Sequence, residues 1–138
     1  MVSAAVVRER VARPTSVPQE APFQVIDRLE LQGLIKEEGI DNTRAAAGVA
    51  LVNVLRYKLF TEGRIPGSIN IPLGREDEFD HRFHKDKMIV LYSGSEACEI
   101  SQSVARALTL RGFRRVFDYA GGLANWRATG GMVMSGHV

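Results

Sequence analysis

Apolar residues in this chain gather in short dense runs, separated by charged or glycine-containing stretches, so strand-length and helix-length segments alternate along it. Val49 to Leu55 (VALVNVL) is a nearly continuous aliphatic, β-branched run, which predicts a strand covered on both faces, as in a parallel sheet. Met88 to Tyr92 repeats that pattern, Ser68 to Ile71 is a shorter strand closed by Pro72, and Arg115 to Tyr119 is a fourth. Helices are predicted between them. Asp27 and Glu30 form a capping box for a helix with Leu31, Leu34 and Ile35 on its buried stripe and Gly39 at its end. Tyr57 to Glu62 is a helical turn. A helix from about Cys98 to Arg111 buries Val104, Ala105 and Leu108 and stops at Gly112, and Leu123 to Thr129 is a last helix carrying Trp126. Leu73 to Lys87 is a charged connector anchored by Phe79 and Phe83. The alternation predicts an α/β fold, with a central mostly parallel sheet flanked by helices on both faces.

Residues 1–22, with Pro14, Pro18 and Pro22 and no sustained periodicity, read as a flexible N-terminal arm. Residues 23–130 form the expected domain and 131–138 a C-terminal tail. The 138 residues, 45% apolar and 25% charged, suit one core. A formal charge of +2 is too balanced to imply nucleic acid or an acidic membrane surface. No apolar run approaches the roughly 20 residues that span a bilayer. Arg8, Glu9 and Arg10 interrupt the apolar start where a secretory signal would continue, so a cytoplasmic protein is expected. The single cysteine, Cys98, rules out an internal disulfide and a cysteine-rich zinc site.

Chemistry is expected where the buried strand ending at Tyr92 meets the following helix. Unpaired backbone N–H groups and the helix dipole converge there and favour anions. The segment is Ser93, Gly94, Ser95, Glu96, Ala97 and Cys98, a loop able to wrap its N–H groups around a charged atom. Two of its residues invite chemistry: Ser93 at its start, and Cys98, whose thiolate a helix N-terminus would favour. A serine hydrolase is not indicated, because Gly-x-Ser-x-Gly is absent and no histidine stands nearby in sequence as a base.

From about Phe23 to Thr129 the chain resembles the rhodanese-like domain family of sulfurtransferases. The stretch Leu51 to Leu73 resembles the family's first signature through Gly63, Ile65-Pro66-Gly67, Ile69-Asn70-Ile71 and Pro72. The second signature is matched by Ile89 to Ser101, Gly112-Phe113, Gly121-Gly122 and Trp126. The resemblance implies that the first residue of the loop carries sulfur as a cysteine persulfide, taken from a small sulfur-containing anion or a persulfide donor, with no cofactor, metal, nucleic acid or membrane involved.

The chain departs from that pattern at telling places. Ser93 occupies the nucleophile position, and a hydroxyl neither ionises readily nor forms a persulfide. Asn53 and Leu55 stand where the family usually has Asp-x-Arg, Cys98 takes the loop's last position, often arginine, and Glu96 and Glu99 bring negative charge. The first expectation is therefore an inactive-site variant whose loop binds an anion or a protein partner. Two alternatives stand beside it: an active sulfurtransferase seen with serine in place of its cysteine at 93, or a sulfur carrier relocated to Cys98. Phosphatase chemistry is disfavoured, since the loop lacks a cysteine and an arginine in the required places.

The remaining candidates read as structural. His81 and His84, with Asp77, Glu78 and Asp80, fit a charged exposed connector better than a metal site. Gly121 and Gly122 suit a tight turn and Trp126 a packing role, while Arg111, Arg114 and Arg115 suit a solvated turn.

Overall fold

A computed structural model describes residues 23–38 and 48–137. The expected N-terminal arm and the helix end at Gly39 lie outside them. The described elements are β1 (Gln24–Ile26), α1 (Arg28–Glu38), β2 (Val49–Asn53), α2 (Tyr57–Glu62), β3 (Ile69–Asn70), α3 (Asp77–Arg82), β4 (Met88–Tyr92), α4 (Ile100–Leu110), β5 (Val116–Tyr119) and α5 (Gly122–Ala128). The strands form one sheet in the order β1-β5-β4-β2-β3, and every pairing is parallel.

The continuous apolar runs are explained by two cores, one on each face. Ala50 and Val52 of β2 join Ile89 and Leu91 of β4 beneath Val104, Ala105 and Leu108 of α4, together with Phe79 of α3. Val49 and Leu51 join Val90 and Tyr92 on the opposite face, against Leu31 of α1 and Trp126 of α5. Both faces of the central strands are dry, so no polar alternation survives in their sequences. Leu34 and Ile35 of α1 pack at the margin of the second core.

Local signals act as their chemistry requires. The capping box is reciprocal: the Glu30 amide donates to Asp27 Oδ1 at 2.8 Å and the Asp27 amide to Glu30 Oε1 at 2.9 Å. Gly112 adopts φ +97° after α4, and the Phe113 amide returns to the Leu108 carbonyl at 3.1 Å. Phe113 is thereby turned into the core, edge-on to Phe79.

Three features differ from the sequence expectation. β1 adds a fifth strand, a three-residue edge element whose Gln24 and Val25 are exposed, too short and too open to print a pattern. The helix expected from Cys98 begins at Ile100, leaving Cys98 in the loop. Residues 132–137 lie against the domain: Trp126 Nε1 donates to the Met132 carbonyl at 2.7 Å, Arg64 bridges to Met134, and the Gly136 amide donates to the Thr61 carbonyl at 2.8 Å.

Candidate functional site

The carboxyl end of β4 delivers the chain into the loop Ser93–Cys98, and α4 receives it two residues later. Ser93 is 1% exposed, Glu96 and Ala97 face solvent, and Cys98 is half-buried. The Cys98 amide donates to the Ser95 carbonyl at 3.0 Å, closing a turn in the loop. The loop is also held from behind by α5. The Leu123 amide donates to the Ser93 carbonyl at 2.9 Å and the Ala124 amide to the Gly94 carbonyl at 2.8 Å. Gly122, at φ +65°, sits so close that a Cβ there would lie 2.8 Å from the Ser93 carbonyl oxygen and from the Ser95 nitrogen. The second glycine of the pair is thus a buttress of the loop as well as a turn, a role that sequence spacing alone does not reveal.

The thiol and the hydroxyl share this cradle. Burial raises the pKa of Cys98, but hydrogen bonds to its sulfur from the Ile100 backbone, the Ser93 side chain and the Gly94 backbone outweigh it, against some opposition from Glu99. The net effect lowers the thiol pKa below its ordinary value. The Ser93 hydroxyl donates at 3.5 Å to the Cys98 carbonyl and at 3.4 Å to Ser101 Oγ.

Behind the loop stands a residue that the sequence marked only as part of a strand. Asp118 of β5 pairs in register with Leu91 of β4, has no exposed surface, and neither carboxylate oxygen meets a hydrogen-bond partner. Burial pushes its pKa up, partly countered by the nearby Ser101 hydroxyl and by Arg106. No pattern of alternation distinguishes an aspartate in VFDY from an ordinary polar strand position.

The other departures have local explanations. Asn53 is fully buried, and its Oδ1 accepts from the Leu55 amide at 2.9 Å, so this strand end is braced by a neutral turn. Leu55 is buried as well. The buried Arg64 guanidinium lies over the Phe60 ring and donates to the Gly136 carbonyl at 2.7 Å, which commits it to the C-terminal segment. Arg56 is exposed. His81 sits on α3 with Nδ1 2.9 Å from the Asp77 carbonyl, and His84 is exposed. Arg111 pairs with Asp80, and Arg114 Nε donates to Asp86 at 2.8 Å, so this basic turn is engaged in ion pairs. Among the described residues no helix is long and apolar enough to cross a membrane.

Two open depressions, of about 560 and 590 Å³, flank the loop on the α5 side with Glu96 in both walls. A smaller cleft of about 300 Å³ lies on the other side, between Ile100, Leu55, Leu59, Leu73 and Arg56. A parallel sheet carrying a strand–loop–helix segment, with a Gly-Gly turn after the last strand, is the arrangement that the sequence signatures imply. A family model for the rhodanese-like domain matches residues 30–129. The chain belongs to the rhodanese-like domain family. It is similar to a thiosulfate sulfurtransferase, GlpE, of Coxiella burnetii, with 24% identity over 106 residues, 77% of this chain and 89% of that protein. Among solved structures it resembles the BH2092 protein of Bacillus halodurans, with TM-score 0.68 and 28% identity, covering 83% of this chain and 77% of that one. The Alr3790 protein of Anabaena sp. shares the fold, with TM-score 0.68 and 23% identity over 80% of this chain and 81% of that one. This rhodanese-like chain is therefore related to thiosulfate sulfurtransferases.

Proposed function

We propose that this rhodanese-like domain handles sulfane sulfur at Cys98, with Ser93 serving as a hydrogen-bond donor and not as the sulfur carrier. The observation that carries this reading is the place of Cys98 in the cradle: a half-buried thiol at the end of the loop, its pKa lowered by the surrounding hydrogen bonds, beside a Ser93 hydroxyl 3.5 Å from the Cys98 carbonyl. Thiolate, the reactive form, is the state such hydrogen bonds favour. A serine at 93 has no persulfide chemistry, whereas its hydroxyl suits the stabilising role.

The step balances simply. The Cys98 thiolate attacks the outer sulfur of thiosulfate, a sulfur–sulfur bond forms, the bond to the sulfonate sulfur breaks, and sulfite leaves with that electron pair. The resulting perthiolate passes its terminal sulfur to cyanide or a thiolate acceptor, regenerating the Cys98 thiolate. A persulfide donor serves in place of thiosulfate by the same exchange, and no cofactor or metal enters. A cytoplasmic setting, which keeps a lone thiol reduced, suits this chemistry.

A second reading has its own support. Glu96 and Glu99 are exposed at the loop and no arginine lies within it, which disfavours a doubly charged anion and suits a loop that docks a protein partner without chemistry. Thiosulfate-to-cyanide sulfur transfer by this chain, Cys98→Ala and Ser93→Cys separates the cases. Turnover by the unaltered chain that Cys98→Ala abolishes is expected. Turnover by Ser93→Cys alone overturns the Cys98 reading and leaves an intact cradle lacking its usual nucleophile; silence from all three leaves a binding module.

A further inference from the structure

The sulfur step leaves unused the aliphatic cleft of about 300 Å³ beside the loop. Its walls are tied to both ends of that loop. On one side the Val54 amide donates at 3.1 Å to the carbonyl of Tyr92, the residue before Ser93. On the other stands Ile100, the first residue of α4 and two residues beyond Cys98. Leu55, Leu59 and Leu73 line the space between, with Leu73 49% exposed. Leu55, which stands where the family usually has arginine, makes its part of the wall aliphatic.

That wall is held in place by a set of neutral hydrogen bonds. The Asn70 amide nitrogen donates to the Leu55 carbonyl at 2.7 Å and to the Asn53 carbonyl at 3.0 Å, and the Leu55 amide donates to Asn53 Oδ1 at 2.9 Å. The Leu73 amide adds a bond to the Val54 carbonyl at 3.1 Å. The cleft is thus preformed, as small-molecule sites usually are. One cation lines it. Arg56 is exposed there, and among the described residues its guanidinium makes no hydrogen bond, ion pair or ring contact. Aliphatic walls with a single unpaired cation fit an apolar chain that ends in one carboxylate. Thiosulfate, a compact dianion, offers the cleft no apolar surface and meets Glu96 and Glu99 exposed at the loop.

We infer, on the reading that Cys98 carries sulfur, that this cleft seats the sulfur donor and that the donor is an aliphatic persulfide bearing a carboxylate. Its chain lies on Leu55, Leu59, Leu73 and Ile100, and its carboxylate pairs with Arg56. Arg56 and Ile100 stand on different walls, so a chain anchored at Arg56 directs its sulfur end toward α4 and the loop. The Cys98 thiolate attacks the terminal sulfur, a new sulfur–sulfur bond forms and the old one breaks. The aliphatic thiolate leaves with that electron pair, and the proton stays on the transferred sulfur.

Binding is read apart from sulfur chemistry by titrating the isotope-labelled full chain with butyrate, hexanoate and hexylamine in two-dimensional NMR. Hexanoate is expected to shift the amides of Leu55, Arg56, Leu59, Leu73 and Ile100 saturably, which hexylamine does not. It should bind about fourfold or more tighter than butyrate, since its further methylenes leave water. Arg56→Gln and Leu73→Ser, at exposed positions that do not endanger the fold, should each weaken hexanoate roughly three- to fivefold. No saturable shift, equal affinity for butyrate and hexanoate, or affinity unmoved by Arg56→Gln overturns the inference. Cys98 is the chain's single cysteine, so intact mass after mixing with the persulfide of ω-mercaptohexanoate, and separately with thiosulfate, reads sulfur at this site. Faster loading from the persulfide, slowed by both substitutions, is expected, and loading from thiosulfate that matches it overturns the donor assignment. Hexanoate bound as expected with no sulfur gained from either compound supports the cleft and overturns instead the reading of Cys98 as the carrier.

Discussion

Ser93 and Cys98 share one cradle at the end of β4, and the fully buried Asp118 of β5 stands behind it. A buried strand followed by a short loop and a helix start is a pattern in the sequence, and it marks Ser93 and Cys98 as loop residues. What the pattern lacked was direction. Only the structure shows the loop turned by the bond from the Cys98 amide to the Ser95 carbonyl, with Cys98 left half-buried. Asp118 left no signal, because one polar residue in a four-residue strand is compatible with either face. Its burial nevertheless has a measurable consequence. A carboxyl whose folded pKa lies above its unfolded value of about 3.9 binds its proton more tightly in the native state. Its contribution is then fully present below that unfolded value, declines as pH rises through the folded pKa, and is constant above it. Asp118→Asn should remove this decline, so the variant gains stability relative to the unaltered chain as pH rises above about 4, as read by urea unfolding across pH. A constant difference between the two across that range contradicts the assignment.

Elements carry the site by how they meet. β4 and β2 were plain in sequence because both faces of each are dry, whereas β1 was hidden because two of its three residues are exposed. The helix start was misplaced by two residues, since the apolar periodicity of α4 fixes its middle and not its first turn. The contact between α5 and the loop is the least legible of all, for it depends on backbone meeting backbone across the sheet. Gly122→Ala tests it. A side chain at φ +65° is strained, and its Cβ would press on the Ser93 carbonyl and the Ser95 nitrogen, both backbone atoms that cannot swing away. The expected result is a loss of about 2 kcal/mol or more in urea unfolding, together with a Cys98 alkylation midpoint raised toward that of an ordinary thiol. Full stability with an unchanged midpoint would show that α5 does not hold the loop.

Over the whole molecule, the sheet brings the carboxyl ends of β2, β4 and β5 to one edge, and the loop sits there between clefts of opposite character. The cleft beside Ile100 is mostly aliphatic, while the depressions beside Glu96 are open and acidic. The segment 132–137 closes the far side by accepting from Trp126 and from the buried Arg64. Truncation after Gly131 leaves that guanidinium and the indole N–H without these acceptors, for an expected cost of about 2 to 4 kcal/mol in urea unfolding. A truncated chain as stable as the full one would mean that water replaces both acceptors without penalty. The central claim concerns sulfur, and intact mass after incubation with thiosulfate, and separately with a small-molecule persulfide, tests it most directly. The unaltered chain should gain the mass of one sulfur atom, lose it on addition of cyanide, and show no gain as Cys98→Ser. An unaltered chain that stays at its own mass with both donors contradicts Cys98 as the carrier.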